Sequence, residues 1–343
     1  MPKEIVAAAG PVVTDAGSLV VVIPVFNDWP ALALLLPRLD EALLAVGVSA
    51  RVVLVDDGST QAMPREALVA FGPRALSAVQ VLRLRRNLGH QRAIAIALTY
   101  VEQRTACRAA VVMDGDGEDD PRDIAKLLAG MPDDPVPTVV FAARRKRAEG
   151  LVFRFFYFAY RALHRALTGI PVNVGNFSVV PREALRSLVV VSEMWNHYAA
   201  AVFRARIPHR SVPTARASRL AGQPTMNFVS LVGHGLSAFA VHGEVIGVRL
   251  LVATTTLIVV AAALLATIVG VRLFTDAVIP GWASTVGGIT VALLVQLLTI
   301  ALLLTGLTLV GRSNASFIPL RDYAYFVDAE DVIHGGWQSA EAD

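Results

Sequence analysis

Residues 109–118 read A-A-V-V-M-D-G-D-G-E. Five apolar residues run directly into Asp114, Asp116 and Glu118, an acid at every second position. A short continuous apolar run of this kind reads as a strand buried on both faces. If the backbone stays extended past Met113, alternate side chains project to one side, so the three carboxylates face together. Gly115 and Gly117 let a ligand approach the main chain closely. Such a cluster is costly unless a cation lies in it, and hard oxygen donors suit Mg²⁺ or Mn²⁺. The alternative is a solvated acidic loop; the place directly after an apolar strand argues for Asp114 and Asp116 as metal ligands. Asp119 and Asp120, just before Pro121, read as cap and dipole partners of a following helix.

The flanking sequence has the same grammar. Residues 18–26 (S-L-V-V-V-I-P-V-F), 51–55, 79–84 and 138–143 read as further strands. Residues 30–46, with Leu32, Leu35, Leu36, Leu39 and Leu43 on one side, and residues 91–104 read as helices. Strands alternating with helices imply a mostly parallel sheet with covered faces. Ligands of such sheets bind at the carboxyl ends of the strands. Asp28, Asp56, Asp57, Asp114 and Asp116 all fall at or just past those ends. Neither G-x-G-x-x-G after the first strand nor G-x-x-x-x-G-K-[ST] is present, which disfavours a dinucleotide dehydrogenase and a P-loop nucleotidase.

The 343 residues are 55% hydrophobic and 17% charged, with a mean hydropathy of +0.55. A disordered chain, a collagen and a disulfide scaffold are excluded. One cysteine, Cys107, allows neither an internal disulfide nor a Cys-based zinc site. The net charge of +3 hides an asymmetry: residues 1–143 carry 13 basic and 17 acidic side chains, whereas residues 144–219 carry 14 basic and 3 acidic. A basic middle in an apolar chain points to a phosphate or an anionic lipid, and without a recognisable module it does not point to nucleic acid.

Two uncharged stretches, 250–271 and 285–310, are 22 and 26 residues long. At about 1.5 Å per residue the shorter reaches roughly 33 Å, enough for a bilayer core. With no signal peptide visible, the expectation is a cytoplasmic N-terminal domain, a hairpin of two spans, and a tail returned to the same side. Arg249, Arg312 and Arg321 flank that side, while the connection carries Arg272 against Asp276. Residues 151–167 (L-V-F-R-F-F-Y-F-A-Y-R-A-L-H-R-A-L) combine aromatics with Arg154, Arg161 and Arg165 on one helical face, as in a helix lying in the headgroup layer. Residues 226–241 read as a second interfacial helix. The expected organisation is therefore an extension at 1–17, a catalytic domain at 18–220 that includes the 151–167 helix, a juxtamembrane segment at 221–249, spans within 250–310, and a cytoplasmic tail at 311–343.

An ordered set of motifs resembles a known family: V-I-P-V-F-N-D (22–28), V-D-D-G-S-T (55–60), R-N-L-G-H-Q-R-A-I (86–94), M-D-G-D-G-E-D-D-P (113–121) and V-G-N-F-S-V-V-P-R-E-A-L (174–185), then the two-span tail. Over about residues 18–310 the chain resembles family 2 glycosyltransferases. More narrowly, it is similar to the membrane-bound polyprenyl-phosphate type that includes dolichyl-phosphate mannose synthase and bactoprenol glucosyltransferases. The resemblance implies an α/β fold of GT-A type: a Rossmann-like, mostly parallel catalytic domain followed by interfacial helices and a transmembrane hairpin. By it, Pro24, Asp28, Asp56, Asp57 and Asp114 would line the nucleotide-sugar pocket, and Asp114, Asp116 and Glu118 would hold the metal, with Glu118 in place of the usual amide. Asp114, Asp116, Asn176 and Arg147 would be catalytic; Arg154, Arg216 and Arg219 would hold the acceptor phosphate. The chain departs from the family pattern at Asn176-Phe177-Ser178, where an Asp-Phe-Arg run is usual, and at Thr225 and Met226, where a Lys and an aromatic are usual.

The implied reaction is inverting transfer of a hexosyl group from a nucleoside-diphosphate sugar, UDP preferred over GDP, to undecaprenyl or dolichyl phosphate at the inner membrane. A phosphate monoester has a second pKa near 6, so no dedicated base is required and the absence of an obvious catalytic His is no objection. His90 reads as a helix-start residue. Two other readings stay open: a glycosyltransferase acting on another membrane lipid, and a non-catalytic nucleotide-sugar-binding membrane protein. A homo-oligomer is compatible with either.

Overall fold

The computed structural model describes residues 18–132, 136–144, 162, 165–168, 174–222, 237, 240–274, 281–313 and 317–336. They divide into two units, one built on a sheet and one of helices that includes 242–313.

The sheet unit begins with β1 (Leu19–Val25), α1 (Trp29–Ala45), β2 (Ala50–Asp56), β3 (Leu76–Leu84), α2 (His90–Arg104) and β4 (Ala109–Val112). After these come α3 (Asp123–Ala129), β5 (Val139–Arg144), β6 (Ser178–Pro181), α4 (Arg182–Leu188), α5 (Tyr198–Arg204), β7 (His209–Thr214) and β8 (Val327–His334). Among the described residues there is one eight-stranded sheet, ordered β7-β5-β6-β4-β1-β2-β3-β8. The β1–β2, β1–β4, β2–β3 and β5–β7 pairs are parallel; β3–β8, β4–β6 and β5–β6 are antiparallel. The expected α/β class with a mostly parallel sheet is the observed one.

All seven residues of β1 are buried. Side chains alternate across a strand, so Val20 and Val22 join the core beneath α2 and α5, while Val21 and Ile23 join the core beneath α1 and α3. Helix α1 buries Leu32, Leu35, Leu36, Leu39 and Leu43, the set its spacing implies. Asp40 on the same face is also buried, and its Oδ1 accepts the backbone N–H groups of Arg74, Ala75 and Leu76 at 2.7–2.9 Å. A buried carboxylate with three amide donors is satisfied.

Three strands were not expected from the sequence. β6 and β7 join the far side of the sheet, and residues 327–334, within the segment expected to be a cytoplasmic tail, form β8 on the β3 edge. Glu330 Oε2 accepts from Tyr100 Oη (2.7 Å) and Gln80 Nε2 (3.1 Å), while Asp331 pairs with Arg65 (2.6 Å) and Arg83 (2.7 Å). Ahead of β8, Phe317 and Phe326 pack on Trp195, with ring centroids 3.8 and 5.0 Å away.

The helical unit contains α6 (Gly243–Phe274) and α7 (Trp282–Ser313), both long and apolar enough to cross a membrane. Thr254, Ala261 and Ile268, seven apart, are buried along α6; Thr290, Leu297 and Ala301 are buried on α7. That is a narrow seam of small and aliphatic residues between two helices. The rest faces outward: Val259 is 62% and Leu302 66% exposed, unlike the core helices of a soluble protein. Hydroxyls of Thr254, Thr256, Thr267 and Thr299 donate to the carbonyl four residues earlier at 2.8–2.9 Å, which satisfies them without water. Most of 151–167 and 226–241, expected to be interfacial helices, lies outside the described residues; residues 165–168 are helical.

Candidate active site

Parallel register puts three strand ends level. Val25 is opposite Asp56 and Val22 opposite Val112. Asp57 N donates to Val25 O (2.9 Å) and Met113 N to Val22 O (3.1 Å), so the acids following each strand emerge along one edge.

The loops there are held by side chain–backbone bonds. Asn27, at φ +58°, accepts from Thr60 N (2.9 Å) and Gln61 N (3.0 Å), and Trp29 Nε1 donates to Gln61 O (3.2 Å). These tie the loop carrying Asp28 to the loop after β2. Asp56 Oδ1 accepts from Ser59 N at 2.8 Å. Asp57 is buried, and its two oxygens accept from Leu88 N (2.7 Å) and Gly89 N (2.8 Å). Burial pushes its pKa up, against the pull of those two amides. Asp57, expected in the nucleotide pocket, thus pins the loop that starts α2 through one amide on each oxygen. Pro24 lies behind the acid loop: a Cβ at Gly115 would come within 3.3 Å of its carbonyl oxygen.

Within the acid loop, Asp119 Oδ2 accepts from Asp114 N (3.0 Å) and Asp116 Oδ1 from Glu118 N (2.9 Å). The loop is covered by residues 215–222. Ala217 N donates to Glu118 O (3.0 Å) and Leu220 N to Asp116 O (2.9 Å). Arg216 is paired with Glu118, its Nε 2.8 Å from Oε2. Arg219 bridges two loops, with Nη2 3.1 Å from Asp116 Oδ2 and Nη1 3.4 Å from Asp28 Oδ1. Gly117 has φ +83°, and a Cβ there would fall 2.3 Å from Leu220 Cγ, so only glycine permits this close approach. Burial raises the pKa of Asp116; the charges of Asp114 and Glu118 add to that, while the Glu118 N–H and Arg219 oppose it.

This crowding tests the expected cation. Among the described residues no three side chains converge as a ready-made metal cage. Mg²⁺-type ions at diphosphate sites, however, take one or two carboxylates plus waters and phosphate oxygens. Asp116 and Glu118 are hard-oxygen donors of the kind such an ion takes, and their charge is balanced by Arg216 and Arg219; a divalent cation arriving with a diphosphate would take the place of those guanidinium groups.

His90 starts α2, as its motif suggests, and it also enters the site: Nε2 lies 3.1 Å from Asp114 Oδ1 and 3.0 Å from Asn176 Nδ2. Protein packed around the ring favours its neutral form. The charge of and bond to Asp114, aided by Asp116 and Asp119, outweigh that and raise its pKa. The sequence offered no spacing that would have linked His90 to Asp114. The structure thus brings together Asp28, Asp114, Asp116, Glu118, Asn176, Arg216 and Arg219; Arg147 and Arg154 lie outside the described residues.

Residues 20–189 match the family described as Glycosyl transferase family 2. The chain carries a family 2 glycosyltransferase domain and is a transferase enzyme. It is 25% identical over 304 residues to the glycosyltransferase YkcC of Bacillus subtilis, covering 85% of this chain and 87% of that protein. It is 29% identical over 136 residues to dodecaprenyl-phosphate galacturonate synthase of Rhizobium johnstonii, covering 40% and 38%. To undecaprenyl-phosphate 4-deoxy-4-formamido-L-arabinose transferase of Pseudomonas aeruginosa it is 38% identical over 108 residues, 32% and 30% of the two chains. The chain thus spans most of YkcC but only about a third of these two lipid-phosphate transferases. Among solved structures, glucosyl-3-phosphoglycerate synthase from Mycobacterium tuberculosis with Mn²⁺, UDP-glucose and phosphoglyceric acid shares 16% identity. That match covers 67% of this chain and 80% of the other, at a TM-score of 0.47.

Proposed function

We propose that this enzyme is a membrane-bound, inverting glycosyltransferase. It moves a sugar from a nucleoside-diphosphate sugar, UDP preferred, to a polyprenyl phosphate, with Mg²⁺ or Mn²⁺ on Asp116 and Glu118 beside Asp114. The observation that carries this reading is the pairing of Arg216 and Arg219 with carboxylates from two strand ends. A site that meets anionic phosphates needs both signs of charge within reach. The names of the lipid-phosphate relatives support the acceptor class, and the two apolar helices support a lipid-embedded one.

In the reaction an oxygen of the acceptor phosphate forms a bond to the anomeric carbon. The bond from that carbon to the diphosphate oxygen breaks, and the nucleoside diphosphate leaves with the electron pair. The acceptor is mostly dianionic at neutral pH, so no side chain has to remove a proton. The difficulty is bringing two anions together. Arg216 and Arg219 leave their carboxylates for phosphate oxygens, as planar guanidinium forks readily do. Asp28 and Asp56 then face the nucleoside. When bound, the cation supplies charge neutralisation to the diphosphate leaving group.

The chain enters α6 from the sheet unit and, after α7, rejoins the same sheet as β8. Two spans whose ends both lead to one unit form a hairpin. Arg249, Arg312 and Arg321 at those ends favour the cytoplasmic side of the inner membrane.

The test is incubation of the full-length protein in nanodiscs with a panel of nucleotide sugars and a short polyprenyl phosphate, with mass detection. The expected product is a phosphodiester-linked lipid sugar. Chelation, or Asp116→Asn, should cut turnover on the order of 100-fold. No product from any donor with either metal overturns the reading, and retained anomeric configuration overturns inversion.

A further inference from the structure

A single backbone amide sets the orientation of a series of side chains that ends in the site. Tyr198 N donates to Gln91 Oε1 at 2.8 Å. A backbone N–H can only donate, so the Gln91 amide has one orientation. Its amino group faces Asn176 and donates to Oδ1 at 3.1 Å. Asn176 must then turn its own amino group the other way, and Nδ2 lies 3.0 Å from His90 Nε2, the nitrogen next to Asp114. The start of the series is firmly held. Tyr198 is fully buried with its hydroxyl 2.7 Å from Ser178 Oγ, and Gln91 is 8% exposed.

We infer that Gln91 is a positioning residue. It holds Asn176 so that N–H groups, not the carbonyl, face the Asp114 side of the site, and Asn176 thereby donates to a phosphate oxygen of a substrate. This rests on the function proposed above. An amide nitrogen carries two N–H groups; His90 Nε2 gives its proton to Asp114 and so does not accept from Asn176, which leaves an Asn176 N–H to serve the ligand. Where the resembling family has Asp it has Arg two residues on; this chain has neither, Asn176 being followed by Phe177 and Ser178, so a carboxylate at 176 would stand beside Asp114 without that counter-charge.

The test uses the full-length protein in nanodiscs. Asn176→Ala and Gln91→Met should each lower kcat about 10- to 100-fold. The double variant should be within about twofold of Asn176→Ala alone, because Gln91 acts through Asn176. Asn176→Asp leaves Gln91 its acceptor but turns an oxygen toward the site, and it should be no more active than Asn176→Ala. A raised KM for short polyprenyl phosphate with unchanged UDP affinity assigns the contact to the acceptor; weakened calorimetric UDP binding assigns it to the donor. In protein labelled with ¹⁵N-asparagine, inorganic pyrophosphate should shift the Asn176 side-chain amide signal, and Gln91→Met should abolish the shift. Turnover by none of the donors would defeat the proposed function but leave this readout intact. Multiplicative losses in the double variant, parent-like kcat in Asn176→Asp or in folded Gln91→Met, or no pyrophosphate shift in the parent would each overturn the inference.

Discussion

Gly117 shows how one residue can decide a contact between distant segments. Its φ of +83° and its missing Cβ let Leu220 lie against the acid loop, which in turn brings Arg219 to Asp116. Gly117→Ala should cost about 1–2 kcal/mol from the left-handed backbone alone. It should also free the Ala217 and Leu220 amides, read as faster hydrogen exchange at both. The site residues differ in how legible they were. Asp114, Asp116 and Glu118 were legible as acids directly after an apolar strand, but the extended backbone expected for them is not observed: the chain turns at 115–117, with Gly117 at φ +83°, and among the described residues no three acids converge. His90 could not, because its contact with Asp114 joins the start of one helix to the end of a different strand. Asp57 read as a ligand-pocket acid, and its bonds to the Leu88 and Gly89 amides could not be read, because only the folded loop supplies those partners.

Among the elements, β8 departs most from the sequence reading. Its residues V-D-A-E-D-V-I-H are acidic and partly exposed. An edge strand has a solvent side and keeps charges as protection against stray pairing. Such a strand looks like a tail until its partner is known. Glu330 is the acceptor for buried Tyr100 and Gln80, and burial together with the Glu330 charge holds the Tyr100 phenol protonated. Glu330→Ala leaves the buried Tyr100 hydroxyl without its acceptor, Gln80 Nε2 keeping Tyr100 Oη at 2.8 Å, and should cost about 1–3 kcal/mol in denaturant unfolding. Asp331 gives a pH test. Burial works to raise its pKa, but Arg65 and Arg83 prevail and hold it below the usual carboxylate value. A lowered folded-state pKa stabilises above the unfolded value of about 3.9 and is lost as pH falls through the folded one. The thermal midpoints of the parent and Asp331→Asn should therefore differ near pH 7 and converge below about pH 4.

For the molecule as a whole, the return of the chain to its first sheet constrains topology. The chain runs from the sheet strands into α6 and from α7 on to β8, so the proposed hairpin predicts the same side for the segments before α6 and after α7. Cys107 is buried with its thiol pKa pushed up by burial, so it stays silent toward maleimides. In intact cells, Gly336→Cys should label only with a membrane-permeant maleimide, and Ser284→Cys, in the first turn of α7, with an impermeant one. The reverse pattern would refute a cytoplasmic catalytic unit; impermeant labelling of both would refute the hairpin.

Short apolar runs alternating with amphipathic stretches settled the class of sheet, uncharged length the two long apolar helices, and position after an apolar run the acids at the strand ends. Those features depend on local spacing, and local spacing is written in the chain. The pairing of β8 with β3, the arginines laid on the acid loop, and the orientation passed from Tyr198 to Asn176 were decided only by the fold. Each joins groups that are far apart along the chain, and their partners come within bonding distance only once the sheet has closed.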